Sequence, residues 1–164
     1  MLKNNLYEKL DSHKWGGSGI ERETFEFIMN ILPQEATIVE IGAGYCSTKI
    51  FSEFYELYSI ENNKSFINLF NSNYIYAPII NGWYDRQIVK ESLPSRYDLI
   101  FVDGPLGEGN RGGFLDNIDL FQNVPIMVHD TYRKAEHNLA EMIGHKLNKK
   151  VTFHHNVDFF AYIR

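Results

Sequence analysis

The chain has 164 residues, 44% hydrophobic and 23% charged, which suits one domain with a substantial core. A formal net charge of -5 argues against unspecific nucleic-acid binding, which needs many Lys and Arg to neutralise phosphates. The single Cys46 excludes an internal disulfide, and neither a run of roughly 18 apolar residues nor the apolar core of a signal peptide is present. A soluble, cytoplasmic protein with no membrane or nucleic-acid partner is the expectation.

Taken in order, short apolar runs alternate with helical patterns. GIERETFEFIMNIL (19–32) carries apolar residues at three- and four-residue spacing and predicts a helix. ATIVEIGAG (36–44) predicts a strand ending in glycines, and CSTKIFSEFYE (46–56) a helix. ELYSIEN (56–62) and NYIYAPII (73–80) predict strands, with a helix over 63–71 between them. YDRQIVKESL (84–93) predicts a helix, YDLIFVDGP (97–105) a strand and GGFLDNIDLF (112–121) a helix. VPIMVHD (124–130) predicts a fifth strand, followed by a helix over 132–147. The strands are almost continuously hydrophobic, as in a parallel sheet covered on both faces. KKVTFHHNVDFFAYIR (149–164) leaves no room for a helix and reads as an antiparallel hairpin. The predicted fold class is α/β: a Rossmann-like, seven-stranded, mostly parallel sheet with helices on both faces and a C-terminal antiparallel β-hairpin. Residues 1–18 form a lead-in and 19–164 a single domain.

Three acids fall where this arrangement would gather them. Gly42 and Gly44 sit where a strand turns into a helix, permitting a tight turn and close backbone approach to a ligand. Alone, G-x-G is also compatible with an empty turn. Glu40 lies inside the apolar strand just before it, an expensive place for a carboxylate without a partner. Glu61 ends the second strand about twenty residues later, where an acid can accept from ribose hydroxyls. Asp103 ends the fourth strand, at the same carboxyl edge, where open α/β sheets bind ligands.

With VEIGAGYCST, YSIEN, NGWYD and LIFVDGP in this order, the chain resembles class I S-adenosylmethionine-dependent methyltransferases over residues 19–164. VEIGAGYCST is similar to their E/D-x-G-x-G motif, with Cys46 where many members have a third glycine. The resemblance implies cofactor roles for Glu40 at the methionine end, Gly42 and Gly44 as backbone contacts, and Ser47 or Thr48 at its carboxylate. It implies Glu61 at both ribose hydroxyls, Gly82 and Trp83 at the adenine, and Asp103 toward the amino group or the reaction centre. Trp83 reads equally as a buried core aromatic.

Methyl transfer to a hydroxyl requires an aligned and activated acceptor. His129 and Asp130 end the fifth strand beside Asp103. This resembles the cation-dependent O-methyltransferases of the catechol and caffeoyl-CoA type, which implies that Asp103 and Asp130 hold Mg²⁺ or Mn²⁺. Thr131 stands in place of their Asn, and the Lys that follows their first metal-binding Asp is absent from DGPLGEGN (103–110). His129 is then the candidate base, and Asp103, His129 and Asp130 the candidate catalytic set. Asp130 reads alternatively as the N-cap of the next helix. V-D-G-P-x-G followed by Arg resembles the glucuronoxylan 4-O-methyltransferase family of plants and related bacterial proteins, implying an acidic sugar that Arg111 would pair with. HKWGGSG (13–19) reads as a lid over the cofactor mouth. The remaining histidines, His137, His145, His154 and His155, read as non-catalytic.

The leading reading is O-methylation of a small molecule or sugar with S-adenosylmethionine, assisted by a divalent cation. A cofactor-binding module without catalysis is the alternative. A nicotinamide-dependent oxidoreductase suffers from Ser47 at the third glycine position of G-x-G-x-x-G. With no separate substrate domain, acceptor recognition could draw on a homodimer partner.

Overall fold

A computed structural model of the chain describes residues 8–17, 19–106, 110–156 and 158–164. Residues 8–12 are helical, and α1 spans Arg22–Ile31. β1 (Thr37–Ile41) leads into α2 (Ser47–Phe54), and β2 (Glu56–Glu61) into β3 (Asn73–Tyr76). A small hairpin, β4 (Ile79–Ile80) and β5 (Trp83–Tyr84), precedes α3 (Arg86–Ser92). Then come β6 (Leu99–Val102), α4 (Gly113–Asp116), β7 (Ile126–His129), α5 (Lys134–Leu147), β8 (Val151–His154) and β9 (Phe160–Ile163).

Seven strands form one sheet in the order β3-β2-β1-β6-β7-β9-β8. The first five run parallel, and β9 pairs antiparallel with both β7 and β8. The continuous apolar runs follow from burial on both faces. Ile38, Leu57, Phe101 and Met127 pack under α1 and α2 with Phe25, Ile28, Ile50 and Phe51. Val39, Ile41, Ile100 and Val128 pack on the opposite face with Val89, Phe114, Leu139 and Ile143. Strand periodicity therefore turns Glu40 and His129 toward the α1/α2 face, beneath two helices.

Two predicted helices shrink. Over 63–71 there is only a 3₁₀ turn, Lys64–Phe66, because the Asn63 side chain accepts from Ser65 N at 3.0 Å and Asn68 takes the left-handed conformation (φ 62°). Asparagine side chains compete with helix ladders in this way. Over 112–121 a single turn precedes a 3₁₀ turn, Ile118–Leu120, with the Asn117 amide donating to Gly113 O at 2.8 Å. The third strand ends at Tyr76, short of Pro78, and Asn81 and Gly82 (φ 53° and 84°) turn β4 into β5. Asn-Gly is a strong signal for a two-residue hairpin. No helix among the described residues is long and apolar enough to cross a membrane.

Candidate functional site

The parallel register lines up the ends of β1, β6 and β7, with Ile41 opposite Val102 and Val102 opposite Val128. The next residues along each chain, Gly42, Asp103 and His129, therefore meet at one edge. Gly42 has φ 94°, and a Cβ there would lie 2.7 Å from both Cα and N of Gly104. Backbone packs on backbone at this point, which only glycine permits.

Above this edge opens a cleft of about 1050 Å³, lined by Gly42, Ala43, Gly44, Ser47, Glu61 and Asp103 among others. Glu61 is fixed there by backbone donors: Ala43 N at 3.0 Å, Asn62 N at 2.8 Å and Asn63 N at 2.6 Å. Burial raises its carboxyl pKa against those three donors. Phe66 and Phe70, from the segment after β2, line the same cleft, as do His13, Lys14, Gly16 and Gly19. Of the 13–19 segment read as a lid, Ser18 lies outside the described residues, as do residues 1–7 of the lead-in.

Glu40 lies below the cleft floor, fully buried. Its oxygens accept from Ser47 Oγ at 2.6 Å, Thr48 Oγ1 at 2.7 Å and Ser59 Oγ at 2.8 Å. Burial pushes its pKa up to about 7, although the three hydroxyls pull it down. Thr48 Oγ1 also accepts from Gly44 N at 2.8 Å, so the buried acid braces the glycine turn through one side chain. The hydroxyls of Ser47 and Thr48 are thus turned to Glu40. Gly82 and Trp83 line neither cavity: Trp83 is buried edge-on to Tyr84 and Phe121, hard against Gly113.

A second recess of about 360 Å³ adjoins the cleft and shares Gly19, Asp103 and Leu106 with it. Its walls hold Glu21, Arg111, His129, Asp130, Tyr132, Arg133, Asp158 and Phe159. Asp103 Oδ1 accepts from Arg111 Nη2 at 2.8 Å and lies 3.2 Å from His129 Nδ1. His129 Nε2 lies 3.1 Å from Asp158 Oδ1. Burial alone would lower the imidazole pKa, but Asp103 and Asp158 outweigh it and carry it to about 10. His129 is accordingly a cation at neutral pH, donating from both nitrogens. Asp158 is drawn down to about 2: burial opposes this, but His129, Thr24 and the amide of Glu21 all favour the charged form.

Asp130 takes a left-handed conformation (φ 60°) and does not cap α5, whose N-cap is Arg133. Its Oδ2 accepts from Arg111 Nη2 at 2.9 Å and pairs with the Arg133 guanidinium, whose Nη1 lies 3.2 Å away. Arg111 is 6% exposed, its guanidinium turned to these acids. Of the glycine-rich loop that carries it (105–113), residues 107–109 lie outside the described residues. None of His137, His145, His154 and His155 lines either cavity.

Asp103, His129 and Asp130 each offer a ligand atom within 4.8 Å of the others, the spacing of a cation site. As arranged, the set does not fit a divalent ion. Arg111 Nη2 stands between the two carboxylates, and the imidazolium has no lone pair to give.

Sequence reasoning missed Asp158, Thr24 and Ser59. Asp158 sits in the β8–β9 connection, and only the folded hairpin brings it over β7. Ser59 carried a readable signal, since it shares strand parity with Glu40 on the neighbouring strand.

No known family profile matches the chain, and no curated protein sequence is significantly similar to it. Solved structures are similar in fold. A TehB-like S-adenosylmethionine-dependent methyltransferase from Corynebacterium glutamicum is 13% identical, with 84% of this chain and 83% of that one covered at a TM-score of 0.53. A methyltransferase from Pyrococcus furiosus is 19% identical, with 86% and 80% covered and a TM-score of 0.53. MycE, a methyltransferase of the mycinamycin biosynthetic pathway solved with Mg and SAH, is 13% identical at a TM-score of 0.60. There 98% of this chain corresponds to 52% of MycE, so the chain spans about half that protein's length. The fold is that of class I S-adenosylmethionine-dependent methyltransferases.

Proposed function

We propose that this protein is an S-adenosylmethionine-dependent methyltransferase acting on a hydroxyl oxygen of a small molecule or sugar. The observation that carries the reading is the pair of cavities meeting at Asp103: a large cleft beside the glycine turn and Glu61, and a smaller polar recess beyond it. When bound, S-adenosylmethionine supplies an electrophilic methyl group for in-line displacement.

The residues present fit that cofactor. Glu61 is held rigid by three amides and faces the cleft, suited to a ribose diol. The Gly42–Gly44 turn admits close backbone approach. Phe66 and Phe70, rather than the core residue Trp83, offer apolar walls for adenine.

In the recess, Asp103 stands at the junction with one oxygen anchored by Arg111 and His129. Its other oxygen makes no hydrogen bond among the described residues and can accept from an acceptor hydroxyl. That bond orients a lone pair toward the methyl donor. As the C–O bond forms, the hydroxyl proton becomes strongly acidic and a carboxylate suffices to take it. His129, already charged, keeps Asp103 in place. Tyr132 and Phe159 supply apolar surface at the rim, which suits the C–H face of a sugar ring.

Calorimetry with S-adenosylmethionine tests the reading. The wild type is expected to bind it, and Glu61→Ala to bind at least about tenfold more weakly, a loss of about 1.4 kcal/mol. No heat of binding at millimolar cofactor would overturn the proposal.

A further inference from the structure

We infer that Arg111 is the resident cation of the acidic pair Asp103 and Asp130, so that this site takes no divalent metal. The guanidinium occupies the place an ion would need. One nitrogen, Nη2, serves both carboxylates, at 2.8 Å from Asp103 Oδ1 and 2.9 Å from Asp130 Oδ2. Two N–H groups of one nitrogen thus do what two coordinate bonds would do, holding acids from two strands at a fixed separation.

The group is locked in place. Nη1 donates to the backbone carbonyl of His129 at 3.2 Å and lies 3.9 Å from Glu136 Oε1 on α5. Asp103, Asp130 and Glu136 surround it, and it is 6% exposed. Leaving would break its contacts at the ends of β6 and β7 and on α5 at once. Staying excludes a dication by volume and by like charge. Arginine suits this post because its charge is permanent and its fork planar. It sits eight residues after Asp103, in the loop that β6 feeds, so the strand delivering the first acid also delivers its counter-ion. Arg111 is on this account a positioning residue: it sets the carboxylates and touches no substrate. The inference concerns the same site as the proposed function, yet its measurement is separate from cofactor binding, and the two stand or fall independently.

The test is a Mn²⁺ titration followed by electron paramagnetic resonance at neutral pH. Wild type is expected to show no site tighter than about 1 mM. Arg111→Ala, checked for folding by circular dichroism, is expected to gain one site at least about tenfold tighter than wild type. Arg111→Ala/Asp130→Ala is expected to lose that site again. A purely structural arginine would give no such gain. A wild-type site tighter than that bound and removed by Asp130→Ala would overturn the inference. A folded Arg111→Ala protein with wild-type Mn²⁺ affinity would overturn it too. Should the alanine variant not fold, Arg111→Gln, which keeps length and loses charge, is judged by the same two outcomes, and the wild-type titration decides by itself in either case.

Discussion

Replacing Glu40 by Gln isolates a buried acid whose protonation is tied to folding. Glu40 is fully buried and meets only hydroxyl donors, at 2.6, 2.7 and 2.8 Å, with no cation among its hydrogen-bond partners. Its pKa of about 7 in the folded chain stands above the ordinary 4.5. The folded state therefore holds a proton that the unfolded chain releases across this interval. The stabilisation is fully present below pH 4.5 and is lost as the pH rises through 7. Each pH unit is worth about 1.36 kcal/mol, so the interval between the two values corresponds to about 3 kcal/mol. Glutamine has the same shape and no charge, and its amide can donate to the Ser47 or Ser59 oxygen. Urea unfolding of both proteins at several pH values between 4.5 and 7.5 measures the difference directly. Glu40→Gln is expected to gain on wild type by about 3 kcal/mol across that range. Parallel stability curves would refute the reasoning, because they would mean that Glu40 folds without taking up a proton.

His129→Gln should act in a higher window. The folded pKa near 10 lies above the ordinary 6.5, so the contribution is present below 6.5 and drains away toward 10. Wild type should lose up to about 1.36 kcal/mol per pH unit between pH 7 and 9 relative to the variant, and equal slopes in urea unfolding would contradict this. Gly42→Ala combines φ 94° with a contact against Gly104 backbone. It should cost at least about 1–3 kcal/mol, seen as a melting temperature lower by about 2–4 °C for each kcal/mol. Phe66→Ala should weaken S-adenosylmethionine binding by about 1 kcal/mol or more in calorimetry, while Trp83→Phe leaves affinity unchanged and lowers the melting temperature.

Much of this was legible along the chain. The β/α alternation, the terminal hairpin, and the placing of Gly42, Glu61 and Asp103 at one edge follow from local patterns: continuous apolar runs, glycines at a strand end, acids at strand ends. Such signals are short-range, and a parallel sheet converts them into position through its register. Local competition decided the shrunken helix over 63–71, where Asn63 and Asn68 prefer turns.

What only the tertiary structure decided is which charges meet. VPIMVHD and GNRGG say nothing about Arg111 lying between Asp103 and Asp130, or about Asp158 reaching His129 from the far hairpin. Those contacts span separations of 8 to 29 residues and depend on side-chain direction at three strand ends. The chemistry of the same residues turns on that geometry. The histidine read as a base lies between two carboxylates, and the arginine read as a substrate anchor donates to two acids. Sequence alone determined that acids would line one edge of a parallel sheet. Folding determined their partners, because proton affinity and ion pairing depend on distances of a few ångströms that no spacing along the chain encodes.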